Sequence, residues 1–321
     1  MTLRIGLLGA SKIAPMAIAQ PAAERADVRL TAVAARDPAR AQAYAAEHGI
    51  EHVAGDYAAL VQRDDVDLVY NALPPAAHPE WTIAALEAGK AVLCEKPFAL
   101  DAARAEAMAE AAARTGGLLI EAFHYRHHRV MHEALDVVCS GALGRITGAD
   151  GVFEVPIART GDELRWRREL GGGALMDLGC YPLHALRTLL GAEPAVRRAE
   201  ATFEDGVDAG LETELDFAGV PARIACSMVE PTPRAMLSVT GERGRLEIVN
   251  FIAPQIGCRF TVERDGAVEV RATEGPSTYA AQLDHVVRAW RGEVAPLLTP
   301  ADAVANMRAI DAIYAAAGRR T

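Results

Sequence analysis

The sequence predicts two domains: an α/β domain with a parallel sheet over residues 1–121, and an α+β domain with a large, mostly antiparallel, open-faced sheet over residues 122–321. Three observations predict it. At 321 residues the chain exceeds the roughly 100 to 200 residues of a single domain. Its first part alternates short apolar runs with helical stretches, the grammar of βαβ units. After His132 that grammar gives way to strands with period-2 alternation.

In the first domain the strand candidates are Leu3–Leu8, Val28–Ala34, 68–72, Ala91–Cys94 and 118–121. Ala-rich helical stretches at 39–48, 79–88 and 102–115 lie between them. Gly49, Gly89 and Gly116 follow these stretches, where left-handed C-caps belong.

In the second domain "LETELDF" (211–217), "ARIACSMV" (222–229), "AMLSVTG" (235–241) and "CRFTVERDGAVEVRA" (258–272) read as strands. The last is a hairpin, since Asp265-Gly266 suits a type I′ turn. Two helices, near 279–291 and 300–317, close the chain and are open to packing back on the first domain. Apolar residues on both alternating sets of "ARIACSMV" predict that both faces of this sheet need cover, hence a homodimer or a dimer of dimers.

A formal net charge of −10 without a basic face argues against a nucleic-acid partner. The start, "MTLRIGLLGAS", lacks the pattern of a signal peptide, and no apolar stretch is long enough to span a membrane. The five cysteines are scattered and show no CxxC spacing, which predicts neither disulfides nor zinc and suits a cytoplasmic location.

"RIGLLGASKIAP" (4–15) sets an apolar strand, a glycine turn and a helix start in sequence, a geometry that aims backbone N–H groups at a phosphate. Against the dinucleotide fingerprint G-x-G-x-x-G it offers Gly9, Ser11 and Ala14, with Lys12 and Ile13 in the same turn. The reading is therefore a Rossmann domain. At the end of the second strand, "AVAARDP", Arg36 stands where an NAD-binding fold places an acid. A guanidinium pairs a 2′-phosphate bidentately, so NADP is favoured, with NAD as the alternative. The competing reading gives the acid's role to Asp37 and leaves Arg36 in solvent.

"AGKAVLCEKPFAL" (88–100) ends a buried strand on Glu95, Lys96 and Pro97. A solvated loop is the ordinary explanation of a lone lysine. Ligands of an open α/β sheet, however, sit at the carboxyl ends of its strands, which makes Lys96 a site residue; the Lys96-Pro97 bond is a candidate for cis. With "EAFHYR" (121–126), "GGGALMDLGCYPLH" (171–184) and the closing "AIDAIYAAA" (309–317), the sequence resembles the Gfo/Idh/MocA family of NAD(P)-dependent oxidoreductases, and within it the dihydrodiol and sugar dehydrogenases.

The resemblance implies an active-site Lys96 and an Asp177/Tyr181 pair four residues apart, with Tyr181 where the family usually has His. Tyrosine serves as acid or base once its pKa, near 10 when free, is lowered, and Lys96 is the expected source of that effect. Asp177 would orient sugar hydroxyls or Lys96; His184 is the alternative base. Cofactor contacts are expected from Asn71, Leu73 and His78 after the third strand and from Glu95 and Lys96, helix capping being the alternative for Asn71 and His78. Tyr125, Arg126, Trp166 and His184 are the expected substrate-lining residues. The histidines of "FHYRHHR" lack a carboxylate or cysteine at ligand spacing, so no metal is expected.

The implied function is an NADP-dependent oxidoreductase moving a hydride between a nicotinamide and a CH–OH group of a sugar, polyol or trans-diol. A non-catalytic sugar sensor or co-repressor on the same fold and a double-bond reductase of the biliverdin reductase kind are the alternatives.

Overall fold

The structure is a computed structural model describing residues 1–161 and 163–318. Asp162 and residues 319–321, at the end of the expected second domain, lie outside the described residues. The chain forms two compact units, Met1–Phe123 with Tyr279–Val304, and His124–Thr278 with the remainder from Ala305.

The first unit runs β1 (Leu3–Leu8), α1 (Gln20–Ala23), β2 (Val28–Ala34), α2 (Pro38–His48), β3 (His52–Val53), α3 (Tyr57–Val61), β4 (Leu68–Asn71), α4 (His78–Glu87), β5 (Ala91–Cys94), α5 (Ala102–Thr115) and β6 (Leu119–Glu121). Helix starts follow the chain's own capping chemistry. The carboxylates of Asp37, Asp56 and Asp101 accept backbone N–H groups at the first turns of α2, α3 and α5. Gly49 and Gly116, with φ of 65° and 66°, end α2 and α5 in the left-handed conformation.

The six strands are all parallel, in the order β3-β2-β1-β4-β5-β6. Register aligns their carboxyl ends: Ala34, Leu8, Asn71, Cys94 and Glu121 are successive neighbours across the sheet. Whatever follows these residues in sequence emerges along one edge, which is how Gly9, Leu73 and Glu95-Lys96 come to share it.

The second unit contains α6 (Arg129–Cys139), β7 (Ile146–Glu154), α7 (Cys180–Leu190), β8 (Pro194–Glu204), β9 (Val207–Phe217), β10 (Val220–Ser227), β11 (Arg234–Gly241), β12 (Gly244–Val249), β13 (Arg259–Arg264) and β14 (Ala267–Arg271). The chain then continues through α8 (Thr278–Trp290) and α9 (Pro300–Ala316). Among the described residues eight strands form one sheet, β14-β13-β12-β11-β7-β10-β9-β8, in which β7 and β10 are the only parallel neighbours. The β13–β14 turn has φ of 49° at Asp265 and 84° at Gly266, as a type I′ hairpin requires.

The sequence reading passed over α6, whose buried Val130, Met131, Ala134 and Val137 follow helical spacing. It also misassigned the faces of β10. Ala222, Ile224, Cys226 and Met228 share the buried side, whereas the other set is Arg223, Ala225 and Ser227, with Val229 exposed. The outer face therefore carries charge, including the ion pairs Arg234–Glu154 (2.7 Å) and Arg223–Glu212 (3.5 Å). Through its middle runs a half-buried apolar row, Ala225, Val152, Met236 and Val249, adjacent across four strands.

Two glycines let the helical segment at 175–190 lie directly on this sheet. A Cβ on Gly151 of β7 would come within 2.6 Å of the Pro182 Cβ, and one on Gly179 within 2.8 Å of the Cys226 sulfur. The proline ring cannot rotate away. Gly151→Val is thus expected to lower stability by about 1–3 kcal/mol through overpacking, seen as a lower urea midpoint; an unchanged midpoint would contradict this seating of α7.

Candidate active site

In the first unit the turn after β1 pivots on Gly9, whose φ of 92° suits glycine, and its N–H donates to Ala34 O at 2.8 Å. A Cβ there would sit 3.2 Å from Leu73 Cδ2 and 3.4 Å from Ala72 O. Ser11 Oγ accepts from Ala14 N–H, and the chain winds into a wide helical turn, Pro15–Ala19, closed by Gln20 N–H on Pro15 O. α2 braces the loop from the side: Arg40 Nη2 donates to Ala10 O at 2.7 Å and the Tyr44 hydroxyl to Ser11 O at 3.3 Å. Burial pushes the Tyr44 phenol up to about 12, so it remains a donor.

Lys12 is exposed and Ile13 half-buried on this turn. Arg36 is exposed directly after β2, while the Asp37 carboxylate is occupied by the Ala39 and Arg40 N–H groups. That helix cap competes with any ribose contact by Asp37 and leaves the guanidinium as the polar group beyond this strand. A tight glycine turn, a helix start and an arginine past β2 fit a dinucleotide bearing a 2′-phosphate.

At the next strand ends the polar groups brace one another. Asn71 is fully buried and its amide donates to Thr82 Oγ1 (3.1 Å) and His78 O (3.3 Å). The buried His78 ring has Nε2 at 2.7 Å from Leu73 O and Nδ1 at 3.1 Å from Pro97 O. Burial lowers its pKa to about 4, so the ring is neutral near pH 7. With one N–H it donates to one of the two carbonyls and packs against the other, between the Leu73 loop and the turn after β5.

In that turn Glu95 is buried; Tyr70 donates to its Oε1 at 2.6 Å, and Oε2 accepts the Lys96 N–H at 3.3 Å. The Lys96-Pro97 peptide is cis. Glu95 thus holds the backbone of the turn that carries Lys96, whose side chain is half-buried.

The second unit gathers the remaining expected residues on two segments, the turn His124–His127 and the helix from Leu175. The Tyr181 hydroxyl lies 3.3 Å from His124 Nε2, and His124 Nδ1 lies 2.8 Å from Thr278 Oγ1. The Tyr125 hydroxyl is 2.5 Å from His184 Nδ1, both residues being fully buried. The rings of Tyr125, Phe153 and His124 pack around Tyr181 at centroid distances of 5.7, 5.5 and 5.8 Å. Arg126 is buried on the same turn as Tyr125. Trp166 donates from its indole to Ile157 O at 3.2 Å and has Arg159 stacked 4.2 Å from its ring centre.

Asp177 and Tyr181 straddle a change in helical geometry. Leu175–Gly179 is a π turn, closed by Cys180 N–H on Leu175 O, and α7 continues as an α-helix. Asp177 accepts from Arg165 Nε at 2.7 Å, and the carboxylate is the chief reason the guanidinium pKa is raised. The N-terminal end of this helix is fixed by the buried Asp208, whose Oδ2 accepts the Leu175 N–H and whose Oδ1 accepts the Tyr314 hydroxyl, both at 2.7 Å.

The preceding "GGG" is spatially required. A Cβ on Gly173 would overlap Asp208 Oδ1, and one on Gly172 would lie 2.5 Å from Arg165 O. Sequence reading missed Asp208, Arg165 and His124 as site residues. The glycine triplet was the available signal for a tight approach, but nothing in it names the partner.

The chemistry open to these groups is proton exchange at a buried phenol in the second unit, and charge stabilisation by a lysine at the nucleotide-type strand edge of the first. The family model described as "Oxidoreductase family, NAD-binding Rossmann fold" matches residues 3–123, and the GFO/IDH/MocA C-terminal domain matches residues 131–247. A D-xylose 1-dehydrogenase (NADP(+)) from Haloferax volcanii is 32% identical over 98% of this chain and 97% of its own. Among solved structures, an aldose-aldose oxidoreductase from Caulobacter crescentus complexed with glycerol superposes with a TM-score of 0.91 at 29% identity, covering 99% of this chain and 98% of that one. A 3-ketoreductase from Actinomadura kijaniata in complex with NADP and TDP-benzene gives 0.90 at 29% identity, with 98% of each chain covered. By both its domains and its full-length relatives, the chain belongs to the GFO/IDH/MocA family of oxidoreductases.

Proposed function

We propose that Tyr181 is the acid/base and Lys96 the electrostatic stabiliser of an NADP-dependent oxidoreductase acting on a CH–OH or keto group of a sugar, polyol or diol. The observation that carries the assignment is the buried Tyr181 phenol bonded to an imidazole, since a phenol serves as a base near neutrality only when a neighbour favours its proton's departure. When bound, NADP supplies the hydride acceptor or donor.

The Gly9 turn, with Ser11, Lys12 and Ile13, receives the pyrophosphate, and Arg36 receives the 2′-phosphate. Leu73, Asn71, His78 and Glu95 shape the strand edge beneath them. Tyr181 takes the substrate hydroxyl proton in oxidation and returns it in reduction. The Lys96 ammonium stabilises the oxyanion that forms in either direction. Asp177, oriented by Arg165, accepts hydrogen bonds from neighbouring substrate hydroxyls, and Arg126 and Trp166 line the substrate. His184 acts through Tyr125, which it holds. An aldose-type substrate is supported by the xylose dehydrogenase relative, and five free thiols suit a reducing cytoplasm.

The second unit is also the surface for assembly. The apolar row Ala225, Val152, Met236 and Val249, flanked by arginines and acids, suits a self-complementary contact with a second copy.

NADP(H) is expected to bind more tightly than NAD(H), and Arg36→Ala to narrow the gap by about 10- to 100-fold, the worth of a charged hydrogen bond. Fluorescence titration checks this, and equal binding of both cofactors by the unaltered protein would refute it. Lys96→Met and Tyr181→Phe should each lower turnover by about 100-fold or more with NADP(H) affinity changed only a few-fold. Should Tyr181→Phe stay active while His184→Ala does not, the base is His184. Light scattering is expected to report a dimer or tetramer at micromolar concentration, and Met236→Lys a shift toward monomer; a monomeric unaltered protein would exclude the assembly.

A further inference from the structure

His124 is the imidazole beside the Tyr181 hydroxyl, and the reading above gives it no part in carrying the proton. It is 3% exposed and its other nitrogen is engaged by Thr278, which is fully buried. Three residues from three parts of the chain thus form a line, Tyr181 to His124 to Thr278. A hydroxyl can donate or accept, so Thr278 fits either tautomer of the ring. With Nδ1–H donating to Thr278 Oγ1, Nε2 presents a lone pair to the phenol. That Nε2 contact, at 3.3 Å, is long, as catalytic hydrogen bonds often are before substrate arrives.

We propose that His124 is the positioning and proton-accepting partner of Tyr181, with Thr278 setting its tautomer. In oxidation the O–H bond of the substrate breaks as an O–H bond forms on Tyr181, whose own proton moves to His124 Nε2. The ring becomes an imidazolium, bonded to Thr278 through Nδ1, and gives up the proton to water after product leaves. Reduction runs the same transfers backward. Only protons move along the line, so it needs no further redox partner.

Other titratable groups surround the pair. Tyr125 and His184 are bonded to each other, Arg126 and His127 share the turn with His124, Asp177 is paired with Arg165, and Glu154, next to Phe153, is paired with Arg234. Tyr125 and His184 form a second phenol–imidazole pair beside the first; His124 is assigned the relay because its Nε2 is within hydrogen-bond distance of the Tyr181 hydroxyl itself.

The inference rests on Tyr181 as the acid/base, and the experiment separates the two. Turnover in the oxidation direction is measured against pH for the unaltered enzyme, His124→Gln, Thr278→Val, Thr278→Ser and Tyr181→Phe. The tyrosinate absorbance of each protein is titrated against Tyr181→Phe as the blank. With His124 gone, the phenol loses its proton acceptor, so the rising limb of the profile should move up by about one unit or more, toward the ordinary phenol value near 10, while the tyrosinate midpoint, no longer raised by a hydrogen bond to the neutral phenol, should fall. Turnover at pH 7 should fall about tenfold or more and recover at high pH. Thr278→Val should move each in the direction that His124→Gln moves it, by less, and Thr278→Ser should restore them.

Retention of the limb and midpoint in His124→Gln and Thr278→Val, with Tyr181→Phe inactive, would overturn the relay and leave the base assignment standing. Full activity in Tyr181→Phe would overturn both. If His124→Gln fails to fold, judged by its unfolding midpoint and NADPH binding, the Thr278 pair decides by the same criteria.

Discussion

A buried carboxylate organises the second unit. Asp208, near the start of β9, spends one oxygen on the first N–H of the helical segment that carries Asp177 and Tyr181 and the other on the Tyr314 hydroxyl of α9. A helix start buried without such a partner leaves unsatisfied N–H groups, at about 1–3 kcal/mol for each group lost. The glycine triplet ahead of it follows from the same constraint, because a side chain at 173 would occupy the space of the carboxylate. Fixing that end of the helix fixes the height of Tyr181 above the sheet, and Gly151 and Gly179 let the helix settle at that height.

The first unit repeats the device. Glu95 divides its oxygens between the Tyr70 hydroxyl and the Lys96 N–H, and His78 spans from the Leu73 loop to the Pro97 carbonyl. In each unit a side chain to which we assign a catalytic role, Lys96 or Tyr181, stands on backbone pinned by a buried polar group. Such pinning holds a site to the tolerance catalysis requires, since small misplacements of reacting groups carry large rate penalties. The residues doing the pinning are themselves sealed from solvent, so their influence on chemistry is exerted through the backbone.

Both units also show how a residue type leaves its role open until its partner is known. Asp37 and Arg36 were both candidates for the ribose end of the cofactor, and the helix cap on Asp37 gives the carboxylate a local task. Asn71 and His78 were candidates for cofactor contact or capping; each is fully buried and bonded to protein groups. Asp177 meets Arg165, a residue that no motif in the sequence singles out.

The sequence by itself determined the parallel sheet, the glycine turn, the strand-end lysine and the β13–β14 hairpin. Each is written in a few consecutive residues: an apolar run, a glycine needing positive φ, a charge after a buried strand, an Asp-Gly pair. Only the tertiary structure decided that Asp208 holds the helix carrying Asp177 and Tyr181, that His124 lies between Tyr181 and Thr278, and that one face of β10 is charged. Those contacts join residues 33, 57 and 154 positions apart. A hydrogen bond between distant side chains leaves no local pattern, because its geometry is set by the packing of the elements that carry them and not by the spacing of residues along the chain.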